Sequence, residues 1–151
     1  MKVLIISPGN EPKLGRVALS FKQHLLGIFN RIVVDSIMLE DLQGPALLEQ
    51  HDMMVIGTPT IKGDIYWPLQ VTIDGLMHRI PRGQIATKIA TGFTISNSLL
   101  DSARNLEAVL WVFKESNARI IQPLILQDGC PEDRMAARIG DFIHDLKGIV
   151  V

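Results

Sequence analysis

The chain has 151 residues, of which 47% are hydrophobic and 21% are charged, and its formal net charge is -1. A net charge so close to zero argues against nucleic acid or an acidic membrane surface as a partner. The lone cysteine, Cys130, excludes an intramolecular disulfide and favours a reducing compartment. No apolar run approaches the roughly 20 residues that span a bilayer, and the N-terminus lacks the basic start of a signal peptide. We therefore expect a cytoplasmic protein without membrane insertion.

The first half of the chain alternates between strand and helix patterns. Lys2–Ser7 is a continuous run rich in β-branched residues, as expected of a strand covered on both faces. From Pro12 to Phe29, apolar residues recur at spacings of three and four, a pattern typical of an amphipathic helix. The pattern next predicts a strand at Arg31–Leu39, a short helix at Ala46–Gln50 and a buried strand at Met53–Gly57.

The second half continues the alternation. A helix is predicted at Ile65–Met77, where a proline is tolerated in the first turn because that turn lacks intrahelical N–H partners. The remaining elements are a strand at Ile85–Gly92, a helix at Leu99–Lys114, a strand at Ala118–Leu126 and a closing helix at Pro131–Leu146. Such alternation is typical of a three-layer α/β sandwich, with a five-stranded parallel sheet between helices. One domain over residues 1–151 is the simplest organisation at this length.

The most informative segment follows the strand predicted at Met53–Gly57. From Thr58 to Asp64 the chain reads Thr-Pro-Thr-Ile-Lys-Gly-Asp, and a helix is predicted directly after it. Ligands of open α/β sheets bind outside the carboxyl ends of the strands. This loop offers hydroxyl groups, backbone N–H groups and a glycine that permits close approach to a flat ring. A plain strand-to-helix connection is the alternative to a ligand-binding loop.

The order of the segments and the composition of this loop resemble the flavodoxin-like FMN proteins. The resemblance is closest to the NAD(P)H:quinone oxidoreductases of the tryptophan-repressor-binding-protein type, which have a similar strand followed by Gly-Thr-Pro-Thr. It implies the strand order 2-1-3-4-5 and non-covalent binding of FMN. In those proteins this loop runs beside the pyrimidine side of the isoalloxazine ring. Carried over to this chain, the residues implied to contact the ring are Pro59, Thr60, Ile61, Lys62 and Gly63.

The loop between the first strand and the first helix is the candidate phosphate site. A helix N-terminus favours anions, and the resembled proteins bind the FMN phosphate here on a loop rich in hydroxyl groups. This chain matches that loop in part, because two hydroxyls are missing and Glu11 adds a negative charge. An ordinary turn with an asparagine as N-cap is the alternative. The residues implied to hold the phosphate are Ser7, Gly9, Asn10, Lys13 and Leu14.

A third candidate loop, Thr91–Asn97, follows the fourth predicted strand. The resembled oxidoreductases have a His-Gly-Gly element here, and this chain lacks it. A structural loop is the alternative interpretation. The residues implied to cover the ring or bond its edge are Gly92, Phe93, Thr94 and Asn97. Tyr66 and Trp67 lie at the start of the helix predicted at Ile65–Met77, directly after the Thr58–Asp64 loop, and could stack on the ring, although a core or interface position is the alternative.

Rival classes with the same architecture lack their required residues. A response-regulator receiver needs acidic residues where this chain has Ser7-Pro8 and Gly57. A low-molecular-weight phosphatase needs a cysteine in the first loop, and Walker and Gly-x-Gly-x-x-Gly motifs are also missing. The four histidines show no metal-ligand spacing, so no metal site is expected.

The function implied by the resemblance is electron transfer from NAD(P)H through FMN to a quinone or a similar small acceptor. The flavin carries that chemistry, so no catalytic side chain is expected. A one-electron carrier flavodoxin is an alternative, although such carriers are usually strongly acidic. A flavin-free interaction domain is another. Quinone reductases of this fold often assemble into oligomers, and a homo-oligomer could use Trp67, Trp111 and Phe113 at its interface.

Overall fold

A computed structural model describes residues 1–62 and 64–150. Its parallel strands are β1 (Lys2–Ser7), β2 (Val33–Met38), β3 (Met53–Gly57), β4 (Ile89–Ser96), β5 (Arg119–Ile120) and β6 (Leu124–Gln127). They are ordered β2-β1-β3-β4, and both β5 and β6 pair with the outer side of β4. The predicted order 2-1-3-4-5 is therefore confirmed, with the fifth position divided into two short strands.

The fifth strand is divided into β5 and β6 because it contains one residue more than the segment of β4 that it faces. Ala90 pairs with Ile120, whereas Phe93 pairs with Leu124, so three residues after Ile120 lie opposite two residues of β4. One of the three is Pro123, which has no N–H group to donate to the ladder. The single strand predicted at Ala118–Leu126 is thus broken in its middle.

Helices cover both faces of the sheet. Their bounds are α1 (Pro12–Ile28), α2 (Ala46–Gln50), α3 (Trp67–Met77), α4 (Arg82–Ile85), α5 (Leu99–Glu115) and α6 (Glu132–Val150). Helix α1 packs against α6, and α3 packs against α5. Alternate strand residues separate into two cores: in β1, Val3 and Ile5 face α1 and α6, whereas Leu4 and Ile6 face α3 and α5. This confirms the three-layer α/β prediction.

The boundaries around β4 differ most from the prediction of a strand at Ile85–Gly92. Ile85 ends the short helix α4, which begins after Pro81, and the strand proper is Ile89–Ser96. The prediction ended the strand at Gly92, but in the structure the strand continues to Ser96 because β6 pairs with the second half of β4. Of the described helices, none is long and apolar enough to cross a membrane.

Candidate functional site

An open groove lies at the carboxyl edge of the sheet, where β1 and β3 lie side by side. The chain leaves β1 toward α1 on one face and leaves β3 toward α3 on the other, and ligands of open α/β sheets bind at such a switch point. The groove, called the edge groove below, has a volume of about 540 Å³. One wall is formed by Glu11, Pro12, Lys13 and Leu14. The opposite wall is formed by Pro59, Thr60, Ile61 and Tyr66.

The loop after β3, called the second loop below (residues 58–66), is held by Thr94 of β4. The Thr94 hydroxyl donates to the carbonyl of Thr58 at 2.6 Å and lies 2.8 Å from the hydroxyl of Thr60. Because a threonine has one O–H to donate, Thr60 is the donor in the second bond. The Thr60 oxygen therefore keeps acceptor capacity at the groove wall. The N–H of Thr58 also donates to the carbonyl of Phe93 at 3.0 Å.

The other end of the second loop is held by Asn105 of α5, a residue that was not predicted to belong to the site. Its amide nitrogen donates to the carbonyl of Asp64 at 2.9 Å, and its amide oxygen accepts from the N–H of Tyr66 at 3.1 Å. Asn105 is fully buried. An asparagine among the apolar positions of the predicted helix was the available signal, because a buried amide requires hydrogen-bond partners.

The predicted ring contacts of the second loop divide into three groups. Pro59, Thr60 and Ile61 line the groove, and Lys62 is exposed beside them. Gly63 lies outside the described residues. Their role toward a ring therefore stays a prediction, with the groove wall as its structural basis.

The loop after β1, called the first loop below (residues 8–11), has its glycine amide occupied by a carboxylate. The N–H of Gly9 points at both oxygens of Glu40, with nitrogen-to-oxygen distances of 2.9 and 3.2 Å. The N-cap of α1 is Glu11, which makes no side-chain cap hydrogen bond, so the alternative of Asn10 as N-cap is wrong. Asn10 is exposed.

The remaining residues predicted for the phosphate have different environments. Ser7 is buried at the end of β1, and Leu14 is buried in the core beside the groove. Lys13 lines the groove and donates to Asp128 in the loop after β6, with a nitrogen-to-oxygen distance of 2.9 Å. That hydrogen bond and the lysine charge lower the pKa of the Asp128 carboxyl. The cation expected to meet a phosphate is thus already paired.

The prediction of a loop at Thr91–Asn97 is wrong for Gly92, Phe93 and Thr94, because these residues belong to β4. The ring of Phe93 is fully buried and stacks on Phe21 with centroids 4.9 Å apart, so it cannot cover a ligand in the groove. Gly92 is needed for sheet packing, since a Cβ there would lie 2.6 Å from the carbonyl oxygen of Ile56. Thr94 supports the second loop from beneath. The fourth residue, Asn97, is exposed after β4.

The aromatic residues near the groove have distinct positions. Tyr66 is half-buried and lines the groove, whereas Trp67 is exposed beside it. Trp111 is also exposed, so both tryptophans remain available to an interface. Phe113 is fully buried in the core, and its predicted interface role is therefore wrong.

Solved structures identify the fold. No protein-family model and no curated protein matches the sequence. Oxidised flavodoxin 1 from Bacillus cereus superposes with a TM-score of 0.81 at 17% identity, covering 100% of both chains. Flavodoxin 2 from Bacillus cereus gives a TM-score of 0.77 at 14% identity, covering 98% of this chain and 99% of that one. An NADH:FMN oxidoreductase in its apo form gives 0.72 at 17% identity, covering 99% and 90%. The chain therefore has the flavodoxin-like fold.

Proposed function

We propose that the chain binds FMN non-covalently in the edge groove. The proposal rests on the position of the groove at the switch point of the sheet, where ligand sites of such folds lie. Its volume of about 540 Å³ is within the range of small-molecule sites. Structures with the same fold include flavodoxins and an NADH:FMN oxidoreductase, which makes a flavin the favoured occupant.

The described residues fit the ring end of FMN well. Pro59 and Ile61 offer apolar surface, and Tyr66 offers an aromatic side chain on the same wall. The Thr60 oxygen can accept from a ring N–H, because its own proton is directed to Thr94. Two buried supports, Thr94 and Asn105, fix the loop before any ligand arrives. A wall ordered in advance loses little entropy on binding.

The fit at the phosphate end is poorer. The first loop presents Glu11 at the groove wall, and the Gly9 amide already donates to Glu40. Lys13 is paired with Asp128, which leaves Arg16, also at the groove, as the other basic residue near this end. The ring is therefore expected to contribute most of the binding free energy, with the phosphate end making a smaller contribution.

The reaction we propose is reduction of a quinone or similar small acceptor by NAD(P)H. FMN, when bound, supplies the hydride and electron transfer. The chain's own part is to hold the flavin against the second loop and leave the open side of the groove accessible to both reactants. Arg16 at the groove can also attract the phosphates of NAD(P)H by charge.

A one-electron carrier is the second candidate, because the flavodoxins match the chain over its whole length. The net charge of -1 weighs against it, since carriers rely on strong charge to steer toward partners. Anaerobic mixing with NADH or NADPH separates the two. An oxidoreductase should lose its flavin absorbance faster than free FMN does and regain it with a quinone. A carrier should react with NAD(P)H no faster than free FMN.

Binding itself is tested with two neighbouring aromatic residues. Tyr66→Leu should weaken FMN binding by about 3- to 10-fold, because an aromatic contact on the groove wall is lost. Trp67→Leu is the matched control, since Trp67 is exposed and should leave the affinity unchanged. Quenching of FMN fluorescence measures both. Equal effects of the two variants, or no binding by the folded protein, would contradict the proposed site.

A further inference from the structure

The contact between Glu40 and Gly9 joins two segments that are distant in the chain. Glu40 lies in a single 3-10 turn after β2, and its carboxylate reaches the first loop across 31 residues of sequence. The approach is close: a Cβ built on Gly9 would lie 2.9 Å from a Glu40 oxygen and 2.7 Å from the sulfur of Met38. Both atoms are the ends of flexible side chains, so they lie this close because residue 9 has no side chain of its own.

The carboxylate occupies a donor that an anion would otherwise use. The N–H of Gly9 lies in the turn that leads into α1, where backbone donors and the helix dipole favour a negative group. Glu40 supplies that negative group from within the chain. Glu11 adds a second carboxylate at the groove wall, and the charge of Lys13 is partly neutralised by Asp128. A phosphate at this end would therefore meet two like charges, with Arg16 as the nearby cation without a described acidic partner.

We propose that Glu40 is a specificity-determining residue, an internal anion that competes with the flavin phosphate for the first loop. The inference rests on the proposed flavin site and deepens it. Its consequence is that the chain binds flavins by the ring and discriminates little between FMN and riboflavin. Loss of the Glu40 charge releases the Gly9 amide and removes the repulsion, so the preference shifts toward the phosphorylated flavin.

The first test is the ratio of FMN affinity to riboflavin affinity, measured by fluorescence quenching in four proteins. The wild type should show a ratio near one. Glu40→Gln removes the charge and keeps a hydrogen-bond acceptor, and Glu40→Ala also frees the amide. Both should raise the ratio by about tenfold, because a like charge beside a phosphate is strongly unfavourable. Asp41→Asn is the matched control, since it removes one exposed negative charge next along the chain and should leave the ratio near one.

The second test does not depend on flavin binding. Inorganic phosphate is titrated while the backbone amide signal of Gly9 is followed by NMR. In Glu40→Ala the signal should shift and saturate, whereas in the wild type it should not. A wild-type ratio well above one that the Glu40 variants leave unchanged overturns the inference while leaving the flavin site intact. If no variant binds either flavin, the proposed function fails, and the phosphate titration alone decides the role of Glu40. Equal phosphate responses in the two proteins would also overturn it.

Discussion

The Thr94 hydroxyl, which holds the second loop, can be tested by replacing it with a methyl group. Thr94→Val replaces a hydroxyl with a methyl group of similar size on a fully buried side chain of β4. The exchange removes the hydrogen bond to the Thr58 carbonyl and the bond from the Thr60 hydroxyl. Because Thr58 is fully buried, water cannot replace the lost donor.

The size of the effect follows from these contacts. Leaving a buried carbonyl without its partner costs about 1–3 kcal/mol. Thr60 is half-buried at the groove, so its hydroxyl can turn to water at little cost. The free energy of unfolding should therefore fall by about 2 kcal/mol for Thr94→Val, which corresponds to a decrease of roughly 4–8 °C in Tm.

Thr91 of the same strand is the matched control. It is also fully buried, but its hydroxyl has no hydrogen-bond partner within the described residues. Thr91→Val thus removes an unsatisfied polar atom, and the free energy of unfolding should stay constant or rise by up to about 1 kcal/mol. Urea denaturation of both variants measures the difference. Equal destabilisation would show that the Thr94 hydrogen bonds do not support the loop, and a loss of FMN affinity confined to Thr94→Val would show that they do.

Further predictions concern residues around the sheet. Lys88→Met should lower the free energy of unfolding by about 1–3 kcal/mol, because the buried Lys88 ammonium donates to two carbonyls near the end of α2; unchanged urea unfolding would contradict this. Burial lowers the pKa of Lys88 below its ordinary value of 10.5. Between the lowered pKa and about 10.5, the unfolded chain therefore binds more protons than the folded one, and the free energy of unfolding should rise with pH. Lys88→Met should not show this rise. Lys13→Met should return the Asp128 pKa toward its ordinary value, as an NMR titration can show, and an unmoved pKa would exclude the pairing. Gly92→Ala should destabilise the fold by roughly 1–3 kcal/mol, since its Cβ would meet a backbone oxygen at 2.6 Å; a thermal melt like that of the wild type would refute the close contact.

The fold was predictable because its signals are local. Continuous apolar runs mark β1 and β3, and periodic apolar residues mark α1 and α5, so element type follows from neighbouring residues. The end of β4 is not a local property. Residues 93–96 continue as a strand because β6 pairs with them, and that pairing partner is more than 30 residues away. The prediction therefore placed Phe93 in a loop, although its ring lies in the core.

The site was predictable in position and only partly in detail. The end of the predicted strand at Gly57 and the threonine- and glycine-containing loop after it correctly predicted the position of one wall of the groove. The supports of that wall are long-range side-chain contacts, such as Thr94 with Thr58 and Asn105 with Asp64. Glu40 reaches Gly9 through the packing of β2 against β1. Contacts of this kind depend on tertiary structure, and no spacing in the sequence indicates them.

Flavin binding in the edge groove is tested most directly by mapping the backbone amide NMR shifts as FMN is added to the purified protein. FMN bound in the edge groove should produce saturable shifts that are largest at Thr60, Ile61 and Tyr66, with smaller shifts at the start of α1. The absence of saturable shifts in a folded sample would contradict flavin binding. Shifts concentrated instead in the neighbouring groove between α1 and α6, at residues such as Val17 and Met135, would contradict the edge groove as the site.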